Sequence, residues 1–184
     1  ERYKNREPYT VIAGYAGTGK STLVSHIVDA LNISSGDVCY VAFTGKASLV
    51  LRNKGCLNAM TLHKLLYIPK SLPNGDVEFE ERTFLEYDYK IIVVDEVSMV
   101  PQNMWELLLS HKVHVIALGD MHQLPPVNGN STVLDNPHVV LTEVMRQALD
   151  SPIIRLSMDI REGKPLSYGG PKEARVMPKE KITD

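Results

Sequence analysis

Tyr9-Thr10-Val11-Ile12-Ala13-Gly14-Tyr15-Ala16-Gly17-Thr18-Gly19-Lys20-Ser21-Thr22 decides the fold. Tyr9 to Ala13 is a short apolar run that stops at Gly14, which reads as a buried strand entering a glycine loop. Gly14 to Ser21 matches G-x-x-x-x-G-K-[ST]. A helix is predicted from Lys20 to about Leu31, with Leu23, Ile27 and Leu31 on one face at i, i+4 and i+8. Glycines let backbone N–H groups converge on phosphate oxygens without a Cβ in the way. The helix amino end adds partial positive charge at the same spot. Lys20 is placed for the β- and γ-phosphates of ATP and Ser21 for Mg²⁺, while Gly14, Tyr15, Ala16, Gly17, Thr18, Gly19 and Thr22 complete the nucleotide-binding set. A glycine-rich turn with an incidental lysine is the plain alternative, but it does not explain why motif and flanking elements agree.

Outward from this loop, strands alternate with helices. Val38 to Phe43, Ile91 to Val94, Val113 to Leu118 and Val139 to Leu141 read as strands, nearly all apolar as expected when both sheet faces are covered. Helices are predicted at Lys46 to Arg52, Thr61 to Leu66, and Gln102 to Leu109 behind Pro101. Another runs from Ser151-Pro152 to about Glu162, with Ile153, Leu156 and Ile160 inward and Gly163 and Pro165 closing it. This alternation predicts an α/β fold with a doubly wound, mostly parallel sheet. Residues 67–88 break the pattern: Asn74-Gly75 is a hairpin-turn signal, and Asp76, Glu78, Glu80, Glu81, Glu86 and Asp88 make the insert acidic. The expected organisation is one domain over 1–166 with a hairpin insertion at 67–88, then a linker over 167–184.

Composition narrows the function classes. The 184 residues are 43% hydrophobic, enough for a core, so bulk disorder is excluded. Lys+Arg 20 against Asp+Glu 22 gives net −2, without the broad basic footprint of a tail-driven nucleic-acid binder. A local basic groove remains compatible with that balance. Cys39 and Cys56 form no Cys-x-x-Cys, so neither a disulfide framework nor a thiolate zinc site is supported, and a reduced cytoplasmic setting is the expectation. No apolar run approaches a membrane span, and Glu1-Arg2-Tyr3-Lys4 has no signal core. The first residue is not Met, so a fragment or trimmed chain is expected.

Ile91-Ile92-Val93-Val94-Asp95-Glu96 carries two carboxylates to the end of a strand, where α/β proteins bind ligands. Asp95 can hold Mg²⁺, directly or through water, and Glu96 can polarise a water for in-line attack on the γ-phosphate. A plain helix cap is the competing reading of the pair. Gly119-Asp120-Met121-His122-Gln123 follows the next strand, and Gln123 is the candidate γ-phosphate sensor. A proline-stiffened loop is the alternative there.

At this point the chain resembles a known family. Residues 14–22, Asp-Glu-Val-Ser-Met (95–99) and Gly-Asp-Met-His-Gln-Leu-Pro-Pro-Val (119–127) look like motifs I, II and III of superfamily 1 helicases, in the RecD-like and Dda-like branch, superfamily 1B. Phe43 to Ser48 resembles motif Ia, Thr61 to Leu66 the Thr-Ile-His-x-Leu-Leu element, and Leu141 to Gln147 motif IV. The resemblance implies a RecA-like ATPase lobe that uses ATP and Mg²⁺ to move 5′ to 3′ on single-stranded DNA and to unwind duplexes at single-strand/duplex junctions. It implies a groove lined by Thr44, Lys46, Thr61 and His63, where a helix cap and a surface histidine are the plain readings of Thr61 and His63. It makes Arg146 an arginine finger, a charge worth ~10³–10⁵ in rate in related hydrolases. It makes the 67–88 insert a strand-splitting pin, whose acidity suits a steric wedge better than a phosphate grip. A second RecA-like domain with motifs V and VI, and an upstream adenine-reading glutamine motif, are expected outside these residues, leaving the lone lobe a poor ATPase. Recombination or repair, including a RecD-like exodeoxyribonuclease subunit, is the implied setting; neither a membrane nor an oligomer is implied. Another P-loop enzyme, or a non-catalytic nucleotide- or DNA-binding module, is the alternative. Against a GTPase, Asn53-Lys54-Gly55-Cys56 lacks the aspartate of a guanine-reading element.

Smaller features receive plain readings. His111 to His114 reads as a solvated turn entering a strand, and Trp105, Met145 and Met158 as packing residues. Tyr15 is expected to be exposed in its loop.

Overall fold

A parallel strand covered by helices on both sides must be apolar on both faces, and Ile91–Asp95 shows the pattern. Ile92 and Val94 enter one core cluster while Ile91 and Val93 enter another on the opposite face. The computed structural model describes residues 1–123, 132–145, 150–166 and 176. Two compact units result, one of residues 1–15 and 20–141, the other of 16–19 and 142–184.

The larger unit holds β1 (Tyr9–Gly14), α1 (Lys20–Ala30), β2 (Val38–Ala42), α2 (Gly45–Asn53), β3 (Met60–Thr61), α3 (Leu62–Leu66), β4 (Tyr67–Ser71), β5 (Val77–Glu81), β6 (Ile91–Asp95), α4 (Gln102–Ser110), β7 (His114–Gly119) and β8 (Val139–Leu141). Six strands form one sheet in the order β3-β2-β6-β7-β1-β8, and every pairing in it is parallel. Successive strands therefore end on the same edge. β1 and β2 are separated by β6 and β7, the crossover of a doubly wound sheet.

The two faces are filled differently. On one, Leu62, Leu65 and Leu66 of α3 and Met104, Trp105 and Leu108 of α4 cover Val11, Cys39, Val41 and Val115. Trp105 meets Tyr9 edge-on, with ring centroids 5.4 Å apart. On the other face, Val24 and Val28 of α1 cover Ile12, Val38, Ile116 and Leu118. Each such aliphatic side chain contributes about 1.5–3 kcal/mol by leaving water. The buried line of α1 is thus Val24 and Val28, with Leu23, Ile27 and Leu31 flanking it half-buried, a correction to the predicted face. The stripe is wider than one i, i+4 row, and the smaller β-branched side chains take its centre.

β4 and β5 form a separate antiparallel pair whose turn runs through Asn74 and Gly75. Gly75 has φ +88°, and Asn74 Oδ1 accepts from the Asp76 N–H at 3.1 Å. β5 is exposed along its whole length.

In the smaller unit, α5 (Pro152–Arg161) starts at Ser151, whose side chain makes no capping bond. No residue of this helix is buried: of the expected inward face, Ile153 and Ile160 are exposed and Leu156 is half-buried. Met145 is likewise exposed rather than packed away. Residues 167–175 and 177–184 of the expected linker lie outside the described residues. Among the described residues, no helix is long and apolar enough to cross a membrane.

Candidate nucleotide and nucleic-acid site

The carboxyl edge of the sheet gathers the sequence motifs in spatial order. From β3 to β1 the strands lead into Thr61, Thr44, Asp95-Glu96, Asp120 and Gly14. Ala42 of β2 pairs with both Thr61 and Asp95, and Ala13 pairs with Gly119.

Lys20 opens α1, and its Nζ donates to the carbonyl oxygens of Gly14 at 2.6 Å and Tyr15 at 2.9 Å. In the loop between them, Gly17 has φ +79° and Gly19 φ +83°, a region where a side chain is strained. Thr18 is buried, and the Met145 N–H donates to the Gly17 carbonyl at 2.9 Å. Tyr15 is half-buried rather than exposed, because its ring lies 5.2 Å from that of His122.

Ser21 and Asp95 line one cleft of about 230 Å³, together with Thr22, Tyr40, Lys54 and Cys56. Asp95 Oδ1 accepts from the Glu96 N–H at 3.0 Å, which orients the carboxylate. No cluster of three His, Cys, Asp or Glu side chains suited to a metal occurs among the described residues. Ser21 and Asp95, one hydroxyl and one carboxylate on the same cleft, are the residues there that could hold a hard cation sharing its other ligands with phosphate and water. Glu96 is left-handed, φ +54° and ψ +46°, and starts the 3₁₀ turn Val97–Met99. A non-glycine residue held there is strained, and strain of this kind clusters at functional positions.

Gln123 accepts at Oε1 from the Ser98 hydroxyl at 2.9 Å, joining the turn after β6 to the turn after β7. Buried Asp120 accepts from the His122 N–H at 3.0 Å, and its carbonyl accepts from the Gln123 N–H at 3.1 Å. Sequence reasoning passed over Ser98 as a component of the site; its place two residues beyond the acid pair was the available signal. Residues 124–127 and Arg146 lie outside the described residues.

The groove residues occupy the other end of the edge. Thr44 caps α2 by accepting from the Ala47 N–H at 3.2 Å, and Thr61 caps α3 by accepting from the Lys64 N–H at 3.1 Å. Both hydroxyls thus serve local structure and keep a proton to donate. Lys46 is exposed in the first turn of α2. The exposed His63 ring sits between Phe43, 5.8 Å away, and Tyr67, 5.7 Å away. Phe43 opens the motif Ia stretch but was not assigned to the groove from sequence, and Tyr67 carries no motif signal of its own.

His114 departs from the expected solvated turn: it is 9% exposed. Its Nδ1 donates to the Glu7 carbonyl at 2.7 Å, which leaves Nε2 to accept from the Thr10 hydroxyl at 3.2 Å. Burial, which lowers its pKa from the ordinary 6.5, favours the neutral ring at the opposite edge of the sheet.

Residues 2–174 match a family described as AAA domain. The chain is 31% identical over 175 residues to the ATP-dependent DNA helicase dda of Enterobacteria phage T4, covering 88% of this chain and 39% of that protein. It is 32% identical over 167 residues to the ATP-dependent RecD2 DNA helicase of Deinococcus radiodurans, covering 86% of this chain and 22% of that protein. Among solved structures, one of Pif1 helicases, concerned with DNA unwinding at forked duplex DNA, superposes with a TM-score of 0.58 at 25% identity, over 89% of this chain and 46% of that one. The chain spans less than half the length of each. The ordered motifs along one sheet edge and these matches lead to one assignment: the chain belongs to the AAA-domain family and has the amino-terminal RecA-like fold of superfamily 1B helicases.

Proposed function

We propose that this chain is the amino-terminal motor lobe of an ATP-dependent DNA helicase that moves 5′ to 3′ on single-stranded DNA and separates duplexes at junctions. The supporting observation is the order of residues along the carboxyl edge, with triphosphate chemistry at the β6, β7 and β1 end and polymer-gripping side chains at the β3 and β2 end. A small-molecule kinase has no use for the second group.

In this reading Lys20 exchanges its two carbonyl partners for β- and γ-phosphate oxygens when ATP enters. Glu96 takes a proton from the attacking water, and Gln123 touches the γ-phosphoryl group through its amide. Ser21 and Asp95 would hold Mg²⁺, which would supply positive charge against the charge developing on the phosphate oxygens. Arg146, directly after the residue whose N–H binds Gly17, supplies a further positive charge. Thr44, Lys46 and Thr61 hold the DNA backbone, and His63 with Phe43 and Tyr67 offers a stacking surface for bases. The β4–β5 hairpin, with Phe79 63% exposed, serves as the pin. A second RecA-like domain of the same protein closes the nucleotide cleft, and a reduced cytoplasmic compartment is its setting.

ATP hydrolysis by the full-length protein, measured with and without single-stranded DNA, tests this. Strong stimulation by DNA is expected, with the 184-residue chain alone turning over slowly. Turnover indifferent to DNA would rule out the motor reading.

A further inference from the structure

We propose that Ser98 is a positioning residue that sets which face of the Gln123 amide meets the nucleotide; this rests on the reading of Gln123 as the γ-phosphate contact. A glutamine amide offers an acceptor oxygen on one side and two N–H donors on the other. Only the donor side is useful against an anionic phosphoryl oxygen, and the oxygen side repels it. Rotation about the last side-chain torsion exchanges the two, and that torsion is broad.

In the structure the Ser98 hydroxyl is bonded to the oxygen side. Among the described residues that hydroxyl is the partner of the Gln123 side chain, at 2.9 Å from Oε1. Ser98 is itself only 5% exposed, so its Oγ is held in place by packing within the 3₁₀ turn. With Oε1 committed, Nε2 is the end left to donate. The main chain of Gln123 is anchored separately, through the Asp120 carbonyl at 3.1 Å. Loss of the serine hydroxyl therefore leaves the loop in place and frees only the amide. The bond also ties the sensor to the turn that begins at Glu96.

The test uses the full-length protein as wild type, Ser98→Ala, Gln123→Ala and the double variant. Dissociation constants are measured for ADP and for a nonhydrolysable ATP analogue with Mg²⁺, and the ratio of the two is the readout. A merely structural role would weaken both nucleotides alike and leave the ratio unmoved. Ser98→Ala is expected to cut the preference for the triphosphate about threefold to tenfold. Gln123→Ala should cut it at least as far, and the double variant no further than Gln123→Ala alone. An unchanged ratio in Ser98→Ala, or losses that multiply in the double variant, overturns the proposal. An unchanged ratio in Gln123→Ala overturns the γ-phosphate reading of Gln123 itself and the proposal with it.

Discussion

Lys20 Nζ donates to the carbonyl oxygen of Gly14 at 2.6 Å, so the first residue of α1 is bonded to the last residue of β1. The ammonium therefore has a structural partner to give up before it can serve a phosphate. Lys20→Ala is expected to lower ATP turnover by at least about 100-fold, read as phosphate release. It should also cost about 1 kcal/mol of stability, measurable by urea unfolding, because the Gly14 and Tyr15 carbonyls lose a charged donor.

Glu96 separates chemistry from backbone. Glu96→Gln keeps the side-chain shape, so nucleotide binding should survive while turnover falls about 10²–10⁴-fold. Glu96→Gly should be equally inactive but up to about 1 kcal/mol more stable than Glu96→Gln, since glycine accepts φ +54° without a Cβ penalty. Thermal unfolding of the two variants checks this; equal stabilities would mean the turn carries no strain.

The groove predicts a difference between charge and cap. Lys46→Ala should weaken single-strand binding and flatten its dependence on salt, with little effect on stability. Thr44→Ala and Thr61→Ala should weaken binding and also cost about 1 kcal/mol each, because both side chains accept a helix amide. Titrations across a salt series, paired with unfolding curves, distinguish the two classes.

Two histidines make the fold sensitive to acid. His138 Nδ1 accepts from the Val11 N–H at 2.9 Å, so protonation breaks that bond, and His114 is buried, so protonation places a charge away from water. Burial holds both below their ordinary value of 6.5. Below that pH the unfolded chain takes up more protons than the folded one, so stability rises with pH there. Their contribution is complete above pH 6.5 and is lost as pH falls through the folded values. Urea midpoints should be lower at about pH 5 than at about pH 7.5, and a His114→Asn, His138→Asn double variant should narrow the gap.

The parts of the site that lie in one continuous stretch were legible before any coordinates. The glycine loop announces itself because its glycines, lysine and serine answer one ligand at one place. The apolar run of Ile91 to Val94 told of a strand covered on both faces, as found. What escaped depends on contacts distant in the chain. Met60–Thr61 is a strand only because Val41 and Ala42 pair with it, and two residues carry no periodicity. Ser98 meets Gln123 across 25 positions, and nothing local marks either as the other's partner. Ile153 and Ile160 have helical spacing, but an apolar stripe reports only that a surface seeks cover, not that this chain supplies it.

The side-by-side pairing of Ala42 and Asp95 has a mechanical implication. Thr44 follows Ala42 by two positions, so a tug on a polymer held there reaches the acid's strand across one ladder spacing of about 4.8 Å. Such a ladder is stiff along its hydrogen bonds and behaves like the teeth of a comb fixed to one spine. In the proposed motor, travel along a track would then come from displacement of the whole body against a neighbour, since bending between these teeth would break the rungs that align them.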